Sequence, residues 1–483
     1  MSANPFESPV SSPQSLSAGA GEIAKRPMQT LPRVLGPFDA MTVVVGGIIG
    51  SGIFLKPAYV AGQLHHFGLI IGVWIVMGLI TLCGCLALAE LAAMLPHAGG
   101  PYVYLREAYG RLPAFLWGWT EFWVIRTGSV GALASATAIY LAELAPMTRG
   151  QQQAVAIGIV AALSAISILG THWSAHLQNL TTIIKVGFLL FLIVLPFALR
   201  QEHAEYLRPL FPEQVSWSLW PAIGTAMIAV LWPYDGWINI APVAEEIRDP
   251  QRNVPLALAL GIMIVIALYV LANLAYHVSL PMDQVAGSDK VAATMCNSLM
   301  GDMGGKFFAL GVLCSTFGAT NSNLLTGPRI FFAMARDGLL PSSIRRIHGR
   351  FETPANAIAL QAAWSIVLIA AAFKWKDKPG EAFDALTDFV IFGGTIFYAL
   401  AVGAVFVLRR RRPDLHRPYR TWGYPFTPAV FLAMYSAVMV SLLTEKWVQS
   451  FSGSLLIGAG VLFYQFAKRR KSWSAAAEPP AFE

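Results

Sequence analysis

The stretch VVVGGIIGSGIFLKP, residues 43–57, decides the fold class. It lies in an apolar run long enough to cross a bilayer, yet Gly46, Gly47, Gly50, Ser51 and Gly52 interrupt the run where a helix ought to be continuous. After proline, glycine is the residue a helix interior tolerates least. Unwound backbone at membrane depth persists only where it is buried in protein or lines a cavity. A second long apolar run is broken in the same manner by WPYDGW, residues 232–237. An unwound turn exposes the N–H groups that start one half-helix, which attract a carboxylate. It also exposes the C=O groups that end the other half, which attract an ammonium. Glycines placed only for close helix packing are the plainer reading of the first break taken alone.

Working outward, the remaining chain is of one kind. Its 483 residues are 55% hydrophobic and only 13% charged, against roughly 25% charge in soluble domains. Phe67 to Ala89 contains no charged residue. The apolar runs predict about twelve spans, at roughly 38–61, 67–94, 113–144, 152–170, 179–199, 217–244, 255–280, 304–333, 355–373, 384–407, 425–443 and 450–467. The two breaks then fall in the first and sixth spans, matching places in two five-span halves, and an odd number per half inverts the second. Such a pair of interrupted spans is the sequence mark of a transporter binding site.

Residues 1–33 hold no apolar run and read as a disordered tail rather than a cleaved leader. Residues 34–407 read as the core, 408–467 as two added spans and 468–483 as a second tail. About 22 of the 34 basic residues fall on one side of the predicted membrane, with both termini. The positive-inside rule makes that side cytoplasmic, and the membrane is expected to be the cell's inner one. The formal charge of +7 is thus explained without nucleic acid. Cys83, Cys85, Cys296 and Cys314 form no disulfide or metal framework. Gly47 to Gly52 lacks the preceding strand a nucleotide loop needs, and no nucleophile or metal spacing suggests an enzyme. No cofactor is expected.

At this level of detail the chain resembles the L-type transporters of the amino acid–polyamine–organocation superfamily over about residues 34–445. The likeness is carried by VVVGGIIGSGIFLKP (43–57), AELAAMLPHAGGPYVYLREAYGRLPAFLWGWTEFWVIR (89–126), WPYDGWINIAPVAEEIRDPQRNVPLAL (232–258), FFAMARDGLLP (331–341) and RRPDLHRPYRTWGYPFTP (411–428). The resemblance implies an all-α, LeuT-type five-plus-five inverted repeat with broken first and sixth helices. It implies sodium-independent transport of amino acids by alternating access, as an exchanger or facilitator of neutral substrates. The substrate carboxylate would meet the N–H groups of Ser51, Gly52 and Gly50, and the ammonium the carbonyls of Ile48, Trp232 and Asp235. Ile49 and Gly236 complete the implied site. Trp232 would be an aromatic gate, and Lys185 would stand where sodium-driven relatives hold a cation.

Several residues carry two readings at this point. Lys185 either bridges the first and fifth helices or snorkels to the interface; a charged lysine at mid-membrane costs about 2.5–3.5 kcal/mol on insertion scales. Asp235 either pairs with an amino group on the substrate side chain or caps the broken helix. A proton-coupled symporter of cationic amino acids or amines is therefore the alternative function, and a non-transporting sensor a more distant one. Arg126 is expected to pair with Glu121 as a structural element. Glu245 and Glu246, beside Arg248, are expected either in an inner ion-pair network or at a solvated helix end. His277 is expected near the outer interface. Animal members that pair with a glycoprotein chain use a cysteine between the third and fourth spans; here APMTRGQQ (145–152) has none. No disulfide-linked partner is expected.

Overall fold

The computed structural model describes residues 30–375, 379–445 and 447–468. Of the expected tails at 1–33 and 468–483, residues 1–29 and 469–483 lie outside the described residues. Within the described residues every named element is helical. Among the described residues nine helices are long and apolar enough to cross a membrane. The tenth crossing is a pair, α1 (Pro37–Ile48) and α2 (Gly52–Leu64), bent by 41° at the first break.

Two further crossings fall short of a purely apolar test for informative reasons. The sixth is α9 (Leu219–Leu231), a turn, and a 3-10 helix over Trp237–Glu246. The eighth, α13 (Asp302–Thr326), is long enough to span but carries the polar run Ser315 to Asn323. Together these make the twelve spans that the apolar runs imply.

The intervening elements follow in order. They are α3 (Phe67–Met94), the short α4 (Pro101–Tyr109), α5 (Arg111–Thr120) and α6 (Arg126–Leu144), joined to α5 by a π-helical turn. Then come α7 (Arg149–Leu169), α8 (Thr171–Ala198), α10 (Pro250–Ser279), α11 (Met282–Ala286), α12 (Val291–Met300) and α14 (Pro328–Arg336). The chain ends with α15 (Ala355–Trp375), α16 (Pro379–Arg411), α17 (Phe426–Glu445) and α18 (Trp447–Lys468). Helix α1 packs between α10 and α8, while α13 packs between α6 and α8. The breaks are therefore surrounded on all sides by helix.

Local chemistry explains where the elements differ from expectation. The fifth span begins at Thr171, eight residues before the apolar run. The polar stretch THWSAHLQN is helical because Thr171, Ser174 and Gln178 turn inward and are buried. Ser174 bonds Asn321 at 3.1 Å and Asn321 bonds Gln178 at 3.0 Å. The second half of the sixth span is 3-10 rather than α. Pro242 inside it removes one donor.

The side of the bundle bearing the N-terminal end is closed by buried ion pairs. Arg329 meets Glu246 at 2.7 Å, and both side chains are fully buried; Thr171 donates to the same carboxylate at 2.8 Å. Glu245 accepts from Arg336 at 2.9 Å, from the Ala98 N–H at 2.8 Å and from the Leu31 N–H at 2.8 Å. The partners of the two glutamates are thus Arg329 and Arg336, not the neighbouring Arg248, which donates to the Arg33 carbonyl. Residues 31–35, at the end of the expected tail, are fixed there. Leu31 is buried, and Leu35 N–H bonds the Glu246 carbonyl at 2.9 Å. Arg106 adds a bond of 2.6 Å to Asp337. Burial alone would lower its pKa, but the Asp337 carboxylate outweighs that and holds it above the ordinary value.

Candidate functional site

The first break is a stretch of orphaned backbone whose carbonyl end is already occupied. Ile49 leaves the helix with ψ 98, so the last carbonyls of α1 lose their intrahelical donors. The ammonium of Lys185, fully buried on α8, replaces them. It donates to the Gly46 carbonyl at 2.8 Å and the Ile49 carbonyl at 2.9 Å. Snorkelling is excluded by this burial and by the helix extension to Thr171. Ser315 on α13 adds bonds of 3.4 Å to the Ile49 and Gly50 carbonyls, and Tyr269 on α10 reaches the Ile48 carbonyl at 3.3 Å. The other end of the break is open. Ser51 and Gly52 begin α2, where position leaves N–H groups without intrahelical acceptors. The Ser51 hydroxyl is buried without a partner.

The second break meets the first directly. Gly236 has φ +102, and a Cβ there would sit 2.5 Å from the Gly47 carbonyl oxygen. A Cβ on Gly52 would sit 2.7 Å from Pro233 Cα. Glycine at both places is what lets the two unwound segments touch. Asp235 N–H bonds the Trp232 carbonyl at 3.1 Å. Its carboxylate Oδ1 is buried with no partner, in a cavity wall that Gly236 and Tyr398 share.

Between the breaks lies a small cavity of about 50 Å³, lined by both of them. Of the residues expected from sequence, Ile48, Gly50, Ser51, Gly52, Trp232, Asp235 and Gly236 line it. Ile49 and Lys185 do not; they stand behind the first break and hold its carbonyls. Trp237 is buried against Tyr398 and Phe431, with ring centres 5.8 and 5.7 Å away. It is no interfacial belt residue. His277 is buried at the end of α10, bonded to the Asn273 carbonyl at 2.8 Å and 5.3 Å from the Phe67 ring.

The wall opposite the first break comes from residues the sequence did not single out for this site. Arg126 pairs with Glu121 at 2.9 Å as expected, but it also lines the cavity. A π-helical turn at Glu121–Ile125 adds a residue to the third span and swings Arg126 inward. Such bulges concentrate at functional sites. Its Nη1 donates to Asn239 at 2.7 Å and Asn323 at 3.0 Å, tying the third span to the sixth and eighth. Ser129, Asn239, Asn323 and Tyr398 complete the polar wall. Among the described residues no cluster of three or more metal-ligating side chains occurs. The arrangement offers N–H donors, free carbonyl lone pairs and an adaptable polar wall, which is chemistry for binding rather than bond-making.

Known proteins share this sequence across almost its whole length. An amino acid permease family model matches residues 35–465. A serine/threonine exchanger of Bacillus subtilis (strain 168) is 33% identical over 446 residues, covering 92% of this chain and 98% of the relative. The large neutral amino acids transporter small subunit 2 of Oryctolagus cuniculus is 30% identical, over 93% of this chain and 82% of its own length. The human b(0,+)-type amino acid transporter 1 is 28% identical, over 93% and 91%. With twelve crossings, two broken helices and a cavity where the breaks meet, the chain belongs to the amino acid permease family, as an L-type, multi-pass membrane transporter of amino acids.

Proposed function

We propose that the protein is a sodium-independent exchanger of neutral L-amino acids that works by alternating access around the two breaks. The observation that carries this reading is the Lys185 ammonium on the Gly46 and Ile49 carbonyls. A fixed side-chain cation satisfies the broken helix there, so the site needs no mobile cation to complete it. The substrate carboxylate then lies on the N–H groups of Ser51 and Gly52, with Gly50 beside them, at the start of α2. The ammonium meets the carbonyls of Ile48, Trp232 and Asp235. Trp232 covers the substrate, and Arg126 with Asn239 and Asn323 faces its side chain. The names of the relatives, a serine/threonine exchanger among them, support exchange and small neutral substrates.

The transport core is assigned to residues 34–407, and residues 408–467, which carry α17 and nearly all of α18, to two added spans outside it. Both termini are assigned to the cytoplasm on the distribution of Lys and Arg, and the protein to the cell's inner membrane on its likeness to a bacterial exchanger. No disulfide-linked partner is assigned, since residues 145–152 contain no cysteine. The ion-paired face around Glu246 and Arg329 is then the cytoplasmic gate, closed in this structure.

A second reading, transport of cationic substrates, rests on the unpartnered Oδ1 of Asp235. Thermal melts of the purified protein with a panel of neutral, cationic and acidic amino acids separate the two. Ligand at a hundred times its Kd stabilises the folded state by about 2.7 kcal/mol. Neutral amino acids are expected to raise the melting temperature, and Asp235→Gly to preserve that rise. Stabilisation by lysine or arginine alone, lost in Asp235→Gly, would establish the cationic reading instead.

A further inference from the structure

The turn between α16 and α17 is built as a rigid arginine crown on the lipid-facing edge of the bundle. Its base is Glu90, buried at the end of α3. Glu90 accepts from Arg409 at 2.6 Å and from the Thr421 N–H and hydroxyl at 2.6 and 2.7 Å. Arg417 stitches the turn to itself, donating to the carbonyls of Leu408, Arg412, Pro413 and Leu415 at 2.7–3.1 Å. Two arginines and a buried glutamate thus fix the backbone of a surface turn.

What that scaffold presents is charge beside bare aromatic surface. Residues 409–426 contain six arginines against one aspartate. Arg410 and Arg420 are exposed and have no ion-pair partner among the described residues. On either side of the anchored Thr421 stand Arg420 and Trp422, the latter 77% exposed. Phe426 is 76% exposed and Val430 half-exposed, four residues apart at the start of α17 and therefore on one face. That apolar stripe starts along α17, a helix long and apolar enough to cross a membrane and mostly exposed. Tryptophan at this level is the usual marker of the boundary between headgroups and hydrocarbon.

We propose that this crown is a binding site for one anionic phospholipid, its phosphate between Arg410 and Arg420 and an acyl chain along Trp422, Phe426 and Val430. Charge complementarity selects an anionic headgroup over a zwitterionic one, and the stripe selects a lipid over a free anion. The positive-inside rule accounts for arginines somewhere on this face of the protein. It does not account for Arg420 being held on a tied turn beside Trp422, where that turn is bonded back to the end of the helix bearing Arg410. The site lies outside the transport cavity and stands independently of the substrate reading.

The test is native mass spectrometry of the full chain released from detergent, with phosphatidylglycerol or phosphatidylcholine of identical acyl chains, or inorganic phosphate alone. One adduct of phosphatidylglycerol is expected, with no comparable adduct of the other two. Arg410→Gln/Arg420→Gln is expected to weaken it roughly thirty-fold, taking each arginine near a charged bilayer surface at its usual worth. Arg345→Gln/Arg346→Gln removes two exposed arginines from another loop and is expected to leave retention unchanged. Equal weakening in both double variants would reduce the effect to general surface charge and overturn the proposal. So would equal retention of phosphatidylcholine, or an adduct with inorganic phosphate of the same strength. Trp422→Ala, which removes no charge, is expected to weaken retention as well; unchanged retention would remove the acyl-chain part of the site.

Discussion

Lys185→Met is expected to reduce amino acid uptake by two to four orders of magnitude while the protein still inserts and folds. The methionine side chain keeps the length of the lysine stem and removes only the donor. Two carbonyls, Gly46 and Ile49, lose bonds of 2.8 and 2.9 Å in a place no water reaches. Hydrogen bonds to a charged group contribute about 1.5–3 kcal/mol each, so two together stand for roughly a hundred- to ten-thousand-fold. The loss falls on the geometry of the first break, because both carbonyls belong to it. Lys185→Arg is not expected to rescue, since the ammonium sits in a slot closed by α13, where a Cβ on Gly318 would already lie 3.3 Å from Lys185 Cε. Uptake and ligand-induced thermal shift measured together check this. Near-normal uptake by Lys185→Met would remove the lysine from the working site.

Gly236→Ala is expected to be almost as severe, by a different route. The residue has φ +102, a conformation that costs an L side chain roughly 1–2 kcal/mol. More importantly, its Cβ would press on the Gly47 carbonyl at 2.5 Å and the carbonyl carbon at 2.8 Å. Those atoms are backbone and cannot rotate away, so the two breaks must separate by the better part of an ångström. Misplacement of that size at a site costs on the order of a hundred-fold. Gly110→Ala is the fitting control. Its φ is +92 but nothing lies within 4 Å of the added Cβ, so it carries the strain without the collision. Uptake assays on both variants should show a large loss only for Gly236→Ala; equal losses would make strain rather than contact the cause.

The breaks are legible in the sequence because glycine and proline weaken a helix, and a membrane span keeps them together in one place only where the chain must unwind. Both lie where Gly46 to Gly52 and Trp232 to Trp237 put them. The partner of the first break is legible only through the family likeness. A lone lysine fourteen residues into its helix reads equally well as snorkelling when the helix is taken to start at the apolar run. The polar stretch THWSAHLQN resembles a loop, because nothing in its own composition shows that its inward face meets Asn321 and Thr42. The polar wall of the cavity stays hidden for a related reason. Asn239, Asn323 and Tyr398 are single residues on three helices, with no spacing that links them. Arg126 is visible, and so is its pairing with Glu121, but no periodic pattern reveals a π-helical turn that redirects a side chain. The gate pairs Glu246–Arg329 and Glu245–Arg336 span 83 and 91 residues, whereas sequence proximity points to Arg248.

The most direct test of the central claim is uptake of the best-stabilising neutral amino acid, radiolabelled, into proteoliposomes made without sodium. Vesicles preloaded with the same unlabelled amino acid are compared with empty ones. Uptake into preloaded vesicles only, unchanged when sodium is added outside, is the expected result for an exchanger whose cation is Lys185. Accumulation in empty vesicles that rises with an inward sodium or proton gradient would contradict it.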